Sequence, residues 1–243
     1  MRHTRIFQPG SYQTGDTVHL SESASHHLAV VLRSHVGTKL FIFPGNAQEF
    51  NAEIIAIKKK QVTVLIGDSI QNLRESPLQI HLGQAVCKGD KMDWILQKGT
   101  ELGVHAFTPI LTSRSAHELT NPKRREKKFN HWQGVITHAT EQCGRNQLPV
   151  LNPLQSIDQF LSIVGTEHKW ILSPTAITPI SKCNPPEKSI TILVGPEGGW
   201  SELELLSATE SHFLPITLGP RILRTESAPI AIISILQFMA GDF

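Results

Sequence analysis

The first 70 residues alternate apolar and polar positions in short runs. Residues 16–20, 39–43, 48–57 and 61–66 each read as a strand, with Pro44-Gly45-Asn46 turning the chain between the second and third. Residues 23–33 break that rhythm: Leu28, Val31 and Leu32 recur at helical spacing, which predicts one helix. Several short strands with a single helix suggest a small barrel. Lys58-Lys59-Lys60 falls between two strands and reads as a solvated hairpin tip that discourages edge pairing; phosphate contact is the alternative.

Residues 67–77 are polar and turn-rich, as a linker would be. Beyond them strands alternate with helices, the mark of an α/β domain. Strands are predicted at 78–86, 104–111, 169–173, 189–194 and 212–218. Helices are predicted at 89–103 and 156–164 and, from their start signals, at three further places. Asn121-Pro122 supplies an N-cap and a first-turn proline for a long helix whose apolar face is Phe129, Trp132, Val135, Ile136, Ala139 and Cys143. Ser201 and Glu204 form a capping box opening a helix to about Glu210. Thr225 or Ser227 caps a last helix running to about Ala240, apolar on nearly every face, so a second surface must cover it.

Length and composition narrow the class. The 243 residues (26.9 kDa) suit one large domain or two unequal ones, and 40% hydrophobic with 18% charged residues suits a globular chain. The net charge of +2 permits a nucleic-acid partner only through local basic surface. Cys87, Cys143 and Cys183 lie far apart with no CxxC pair, which argues against a disulfide scaffold or cysteine zinc site and fits reduced thiols in the cytoplasm. The twelve histidines are scattered without HExxH, so no metal site is expected. The N-terminus lacks a signal-like apolar core, and the longest apolar stretch, 228–240, is too short for a membrane span, which needs about 20 residues.

Candidate chemistry gathers at two glycine-rich strand ends, LVGPEGGWSELE (193–204) and LGPRILRTES (218–227). Each is a strand, a glycine turn, a polar loop and a helix, expected at the carboxyl ends of adjacent strands, where open α/β sheets bind ligands. Gly195, Gly198 and Gly199 let the backbone approach a ligand. No P-loop, dinucleotide-binding turn or serine elbow is present. Glu197 would repel a pyrophosphate but suits a positive or donor-rich ligand, and S-adenosylmethionine (SAM) qualifies. The residues alone go no further than an α/β enzyme with a loop-built site.

VGPEGGWSELE and LGPRILRTESA resemble the two C-terminal motifs of the RsmE family, the 16S rRNA uridine-N3 methyltransferases of the SPOUT superfamily. MRHTRIF, HHLAVVLR, KGDKMDWILQKGTELGV, the Arg114-Ser115 step and WQGVITHATEQCGRNQLP resemble its other blocks in order, so the resemblance spans essentially the whole chain. Ser227 in place of threonine and Trp200 in place of phenylalanine are conservative departures. The resemblance implies a PUA-like RNA-binding β-barrel at 1–70, and a SPOUT α/β methyltransferase domain at 75–243 carrying a deep trefoil knot. It also implies a homodimer and an S-adenosyl-L-methionine cofactor. On this chain the cofactor loops map to Leu172, Ser173 and Pro174; to Leu193, Gly195, Pro196, Glu197, Gly198 and Gly199; and to Leu218, Gly219, Arg221, Ile222 and Leu223.

The implied reaction moves the sulfonium methyl to N3 of a uridine in 16S rRNA. The donor is already activated, so the demands are in-line positioning and loss of the N3 proton. N3 lies on the Watson–Crick edge, so the base must be unpaired or extruded. A guanidinium would stabilise charge on the uracil oxygens; Arg221, Arg224 and Arg145 are candidates, and Glu226 could orient an arginine or accept the proton. Lys123, Arg124 and Arg125, with Lys127 and Lys128, form a basic cluster at a helix N-terminus, where positive charge opposes the helix dipole; they are RNA candidates, with Arg5 and Arg33 weaker ones. Two other readings remain: a methyltransferase acting on a different RNA, and a non-catalytic RNA-binding protein, against which the intact cofactor loops argue.

Overall fold

The computed structural model describes residues 4–71, 74–115, 121–240 and 243. The chain divides into two compact units, Met1–Glu75 with Thr140–Leu148, and Ser76–Ala139 with Pro149–Phe243.

The first unit holds β1 (Thr4–Phe7), β2 (Thr17–His19), α1 (Glu22–His26), β3 (Lys39–Phe43), β4 (Phe50–Lys58) and β5 (Gln61–Ser69). These strands form one sheet in the order β1-β3-β4-β5-β2. β1 escaped the sequence reading; it pairs parallel to β3, from Thr4 against Leu40 to Phe7 against Phe43. Period-two alternation builds the core: Leu40, Ile42, Ala52, Ile54, Val62, Val64 and Ile66 face inward around Leu28 of the helical segment. The single helix expected at 23–33 is instead a short α1, capped by the Ser21 side chain, followed by a π-helix, His27–Val31. The wider winding buries Leu28 completely but leaves Val31 and Leu32 58% and 44% exposed, so the three do not share one buried face.

The second unit is a parallel sheet covered on both faces. Its elements are β6 (Gln79–Ala85), α2 (Lys91–Glu101), β7 (Ala106–Leu111), α3 (Pro122–Cys143), β8 (Val150–Leu151), β9 (Gln155–Ser156), α4 (Ile157–Ile163), β10 (His168–Leu172), β11 (Thr178–Pro179), β12 (Ser189–Val194), α5 (Glu202–Glu210), β13 (Leu214–Thr217) and α6 (Ser227–Ala240). The last four residues of α3 fall in the first unit. The sheet runs β11-β13-β10-β12-β6-β7-β8, and β9 pairs with β7. On one face Trp170, Leu172, Ile190, Ile192 and Val194 pack with α2, α3 and α6 through Met92, Ile95, Trp132, Ile136, Ile232 and Leu236. On the other, Ile171 and Leu193 pack with α4 and α5 through Phe160, Leu161 and Ala208. Burial on both sides explains why β12 is rich in β-branched and apolar residues, its one buried polar side chain, Thr191, bonding the Thr166 hydroxyl at 2.7 Å.

Local signals act as their chemistry requires. The Asn121 side chain accepts from the Lys123 and Arg124 amides at 3.0 and 3.4 Å, capping α3. Ser201 and Glu204 exchange both bonds of the capping box, and Ser156 and Gln159 do the same at α4. One expectation is corrected: β12 and β13 are not adjacent. β10 lies between them, because β13 inserts between β10 and β11 rather than adding to the far side of β12. Among the described residues no helix is long and apolar enough to cross a membrane.

Candidate active site

Because the sheet is parallel, the strands end together, and the loops leaving β10, β12 and β13 converge at its carboxyl edge. They enclose a cavity of about 400 Å³, within the range of small-molecule sites. Leu172, Ser173 and Pro174 line it from the first loop; Gly195, Pro196, Glu197, Gly199 and Trp200 from the second; Leu218, Arg221, Ile222 and Leu223 from the third.

Hydrogen bonds stitch the three loops together. The Trp200 indole N–H donates to the Leu172 carbonyl at 3.0 Å, joining the β12 loop to the end of β10. The Thr225 hydroxyl donates to the Gly195 carbonyl at 2.6 Å, joining the third loop to the second. The Ser173 amide donates to the Ile216 carbonyl at 3.0 Å, joining β10 to β13. Gly199 sits at φ +67°, a left-handed conformation that glycine adopts without penalty.

Three predicted cofactor residues do not line the cavity. Leu193 is fully buried on the opposite face of the sheet, against α4 and α5, because side chains alternate along β12. Gly219 shapes its turn at φ +117° and accepts from the Thr217 hydroxyl at 3.1 Å. Gly198 faces Arg114: a Cβ there would sit 3.2 Å from the Arg114 Cβ, while the Arg114 guanidinium donates to the Gly198 and Trp200 carbonyls at 2.8 and 3.1 Å. Arg114 thus braces the loop, and a side chain at 198 would crowd it.

Of the candidate catalytic residues, Arg221 and Arg224 line the cavity and are exposed. Glu226 stands beside it, one carboxylate oxygen 3.7 Å from the Lys91 ammonium. Arg145 does not line it: its guanidinium is 5% exposed and held in the first unit by Glu75 at 2.6 and 3.0 Å. Arg5 is likewise committed, paired with Glu49, donating to the Arg145 carbonyl at 2.7 Å and stacked 5.0 Å from the Phe43 ring. Arg33 is exposed, as are Lys123, Arg124 and Arg125 in the first turn of α3.

Sequence reasoning missed Lys91. It opens α2, where a positive charge opposes the helix dipole. Its ammonium lines the cavity and bonds Glu197 at 2.9 Å. It therefore bridges carboxylates from the second and third loops. Burial alone would raise the Glu197 carboxyl, but Lys91 and the Lys88 amide hold it below the usual carboxylate value; the same bond to Glu197 raises Lys91. The only sequence signal was the cost of a lysine at that helix position. Behind the cavity the Cys87 thiol is pushed up to about 11 by burial, so it is neutral near pH 7.

A mixed α/β unit with a loop-built cavity at its carboxyl edge, in a chain that also carries a small β-rich unit, is the arrangement of an RNA methyltransferase with a PUA domain, and the family matches agree. The RNA methyltransferase domain family matches residues 74–237, and the RNA methyltransferase PUA domain family matches residues 20–67. The ribosomal RNA small subunit methyltransferase E of Buchnera aphidicola (subsp. Schizaphis graminum) is 37% identical, covering 99% of this chain and 98% of its own. That of Bacillus subtilis is 33% identical over 88% and 86%. The chain belongs to the ribosomal RNA small subunit methyltransferase E family. A methyltransferase from Legionella pneumophila, solved with bound SAM, superposes with a TM-score of 0.95 at 42% identity, covering 98% of each chain. The Neisseria gonorrhoeae methyltransferase E, solved with S-adenosyl methionine, superposes at 0.93 with 35% identity over the full length of both.

Proposed function

We propose that this chain transfers the methyl group of SAM to N3 of a uridine in 16S rRNA, working in the cytoplasm as a homodimer. The observation that carries the reading is the cavity itself: the loops expected to hold SAM are the ones that enclose it. The lining fits such a ligand. Leu172, Val194, Ile216, Leu218 and Ile222 offer apolar surface for a nucleoside, while Glu197 places a carboxylate where a cationic ligand gains. The buried Glu226 oxygen 3.7 Å from the Lys91 ammonium has no hydrogen-bond donor of its own.

The sulfonium supplies an activated methyl group. The chain's part is placement. The Trp200 and Thr225 bonds fix the three loops against one another before the ligand arrives, which lowers the cost of ordering it. Arg221 and Arg224, exposed at the cavity, are the groups to take charge on the uracil oxygens when N3 loses its proton. Glu226, held beside Lys91, is the carboxylate to orient an arginine or accept that proton.

We place the PUA-like RNA-binding domain at 1–70, closing as a small barrel, and the SPOUT domain at 75–243. The insertion of β13 between the earlier strands β10 and β11 is a strand order that a trefoil knot would give, and it supports that reading. For the dimer, α6 buries Ile232, Ile233 and Leu236 in its own chain yet leaves Phe238 74% exposed, an apolar residue suited to a second copy. Calorimetric titration of SAM tests the site. In Gly195→Val, whose Cβ would stand 3.2 Å from the Trp200 ring, affinity should fall at least tenfold, about 1.4 kcal/mol. Unchanged affinity in the folded variant would overturn the assignment.

A further inference from the structure

We propose that the tip of the β4–β5 hairpin grips RNA phosphates through Lys59 and Lys60, with Lys58 beside them. This rests on the RNA-substrate reading above. Lys58 pairs with Gln61, so Lys59 and Lys60 are the whole of a two-residue loop. Their φ angles are +48° and +69°. A tight hairpin turn with both central residues in the left-handed region strongly favours Asn-Gly, which meets the geometry with least steric conflict. Lysine carries a Cβ and gains nothing from that conformation. The backbone therefore holds two unfavourable residues at a position where better ones exist.

Two structural explanations fail. Lysines protect exposed sheet edges, and pairing of β4 with β3 reaches only Glu53, but Lys59 and Lys60 lie in the turn beyond the last β4–β5 pair, Lys58 with Gln61, where there is no strand edge to protect. Nor do the lysines hold the fold together: all three are exposed, and among the described residues no ion pair engages them. The stems beneath are fixed. The Gln61 side chain donates to the Leu20 carbonyl at 2.6 Å, and the Val62 amide to the Ser25 hydroxyl at 3.1 Å. The loop is a strained, rigidly mounted pair of cations. Strain of this kind persists where function selects it. The pattern extends beyond the tip: of the five non-glycine residues with positive φ among those described, three are Arg33, Lys59 and Lys60, all basic, exposed and in the first unit. Residues that ordinarily tolerate this region are Asn, Asp and His.

The test separates charge from conformation. Binding of a 16S rRNA transcript is measured against salt for the wild-type chain, for Lys59→Asn/Lys60→Gly, and for Lys59→Arg/Lys60→Arg. The Asn-Gly variant should melt at a higher temperature, keep SAM binding and bind RNA more weakly. Its log–log salt slope should be shallower by about 1.4–1.8, for two lost phosphate contacts. The double arginine variant should keep the wild-type slope. An Asn-Gly variant that is more stable yet binds RNA with the wild-type slope would show the tip to be solvated only and overturn the proposal. A wild-type chain that binds no RNA would instead overturn the underlying reading.

Discussion

Trp200 is where stability and cofactor binding meet most directly. Its ring is 7% exposed and packs in the cluster around Ile171, Leu193 and Phe213, while its N–H holds the Leu172 carbonyl at 3.0 Å. Trp200→Phe keeps most of the packing and removes the donor. The cost is a net hydrogen bond plus a buried carbonyl left without its partner, about 1–2 kcal/mol. Trp200→Ala adds a cavity and should cost about 3–5 kcal/mol. For a chain of this size each kcal/mol lowers the melting temperature by roughly 2–4 °C, so scanning calorimetry resolves the two. The same scans with saturating SAM report affinity, since stabilisation grows with the logarithm of ligand over Kd. Because the lost bond joins two of the three cavity loops, the SAM-induced rise should shrink in Trp200→Phe as well. If Trp200→Phe melts with the wild type and keeps the full SAM-induced rise, the tie between these loops has no energetic role.

Other expectations follow from the same contacts. Burial, helped by His105, lowers His81 from 6.5 to about 4, and its neutral ring bonds the Thr108 hydroxyl at 2.7 Å. The folded value lies below the unfolded one, so about 3 kcal/mol of stability is present above pH 6.5 and is lost as pH falls through about 4. His81→Asn should flatten denaturant midpoints across that window; an unchanged pH slope would refute the assignment. Lys91→Met should weaken SAM binding by at most about fivefold, the scale of a half-exposed ion pair, with Lys91→Arg restoring much of it; equal loss in both variants would argue against charge. Replacing Lys123, Arg124 and Arg125 with glutamine should make the RNA salt slope shallower by about 2–3, and a wild-type slope would clear them of phosphate contact. Sedimentation should give a species near twice 26.9 kDa; a species near that mass itself would refute the dimer.

Elements that announce themselves locally were legible in the sequence. β3 and β12 have the bounds their apolar runs predict, and α3, α4 and α5 begin at their capping residues. The glycine turns identified the carboxyl-edge cavity because glycine, charge and strand end coincide there. What stayed hidden depends on partners distant in sequence. β1 is only four residues long and is stabilised by pairing with β3. Nothing local places β10 between β12 and β13. The π-helix at His27–Val31 preserves apolar residues while shifting which of them are buried. Lys91 reads as an ordinary surface lysine until Glu197 and Glu226 are brought to it across more than 100 residues. Arg145 looked reactive in a polar helix end, but its partner Glu75 lies 70 residues away.

The most direct test of the central claim is methyl transfer itself. The purified chain is incubated with SAM and small ribosomal subunits or 16S rRNA lacking its own modifications, and nucleoside mass spectrometry then identifies the product. Appearance of 3-methyluridine in 16S rRNA, dependent on SAM and lost in Gly195→Val, is the expected result. A folded, SAM-binding chain that leaves every uridine unmodified in both substrates, or methylates a different atom, would contradict the assignment.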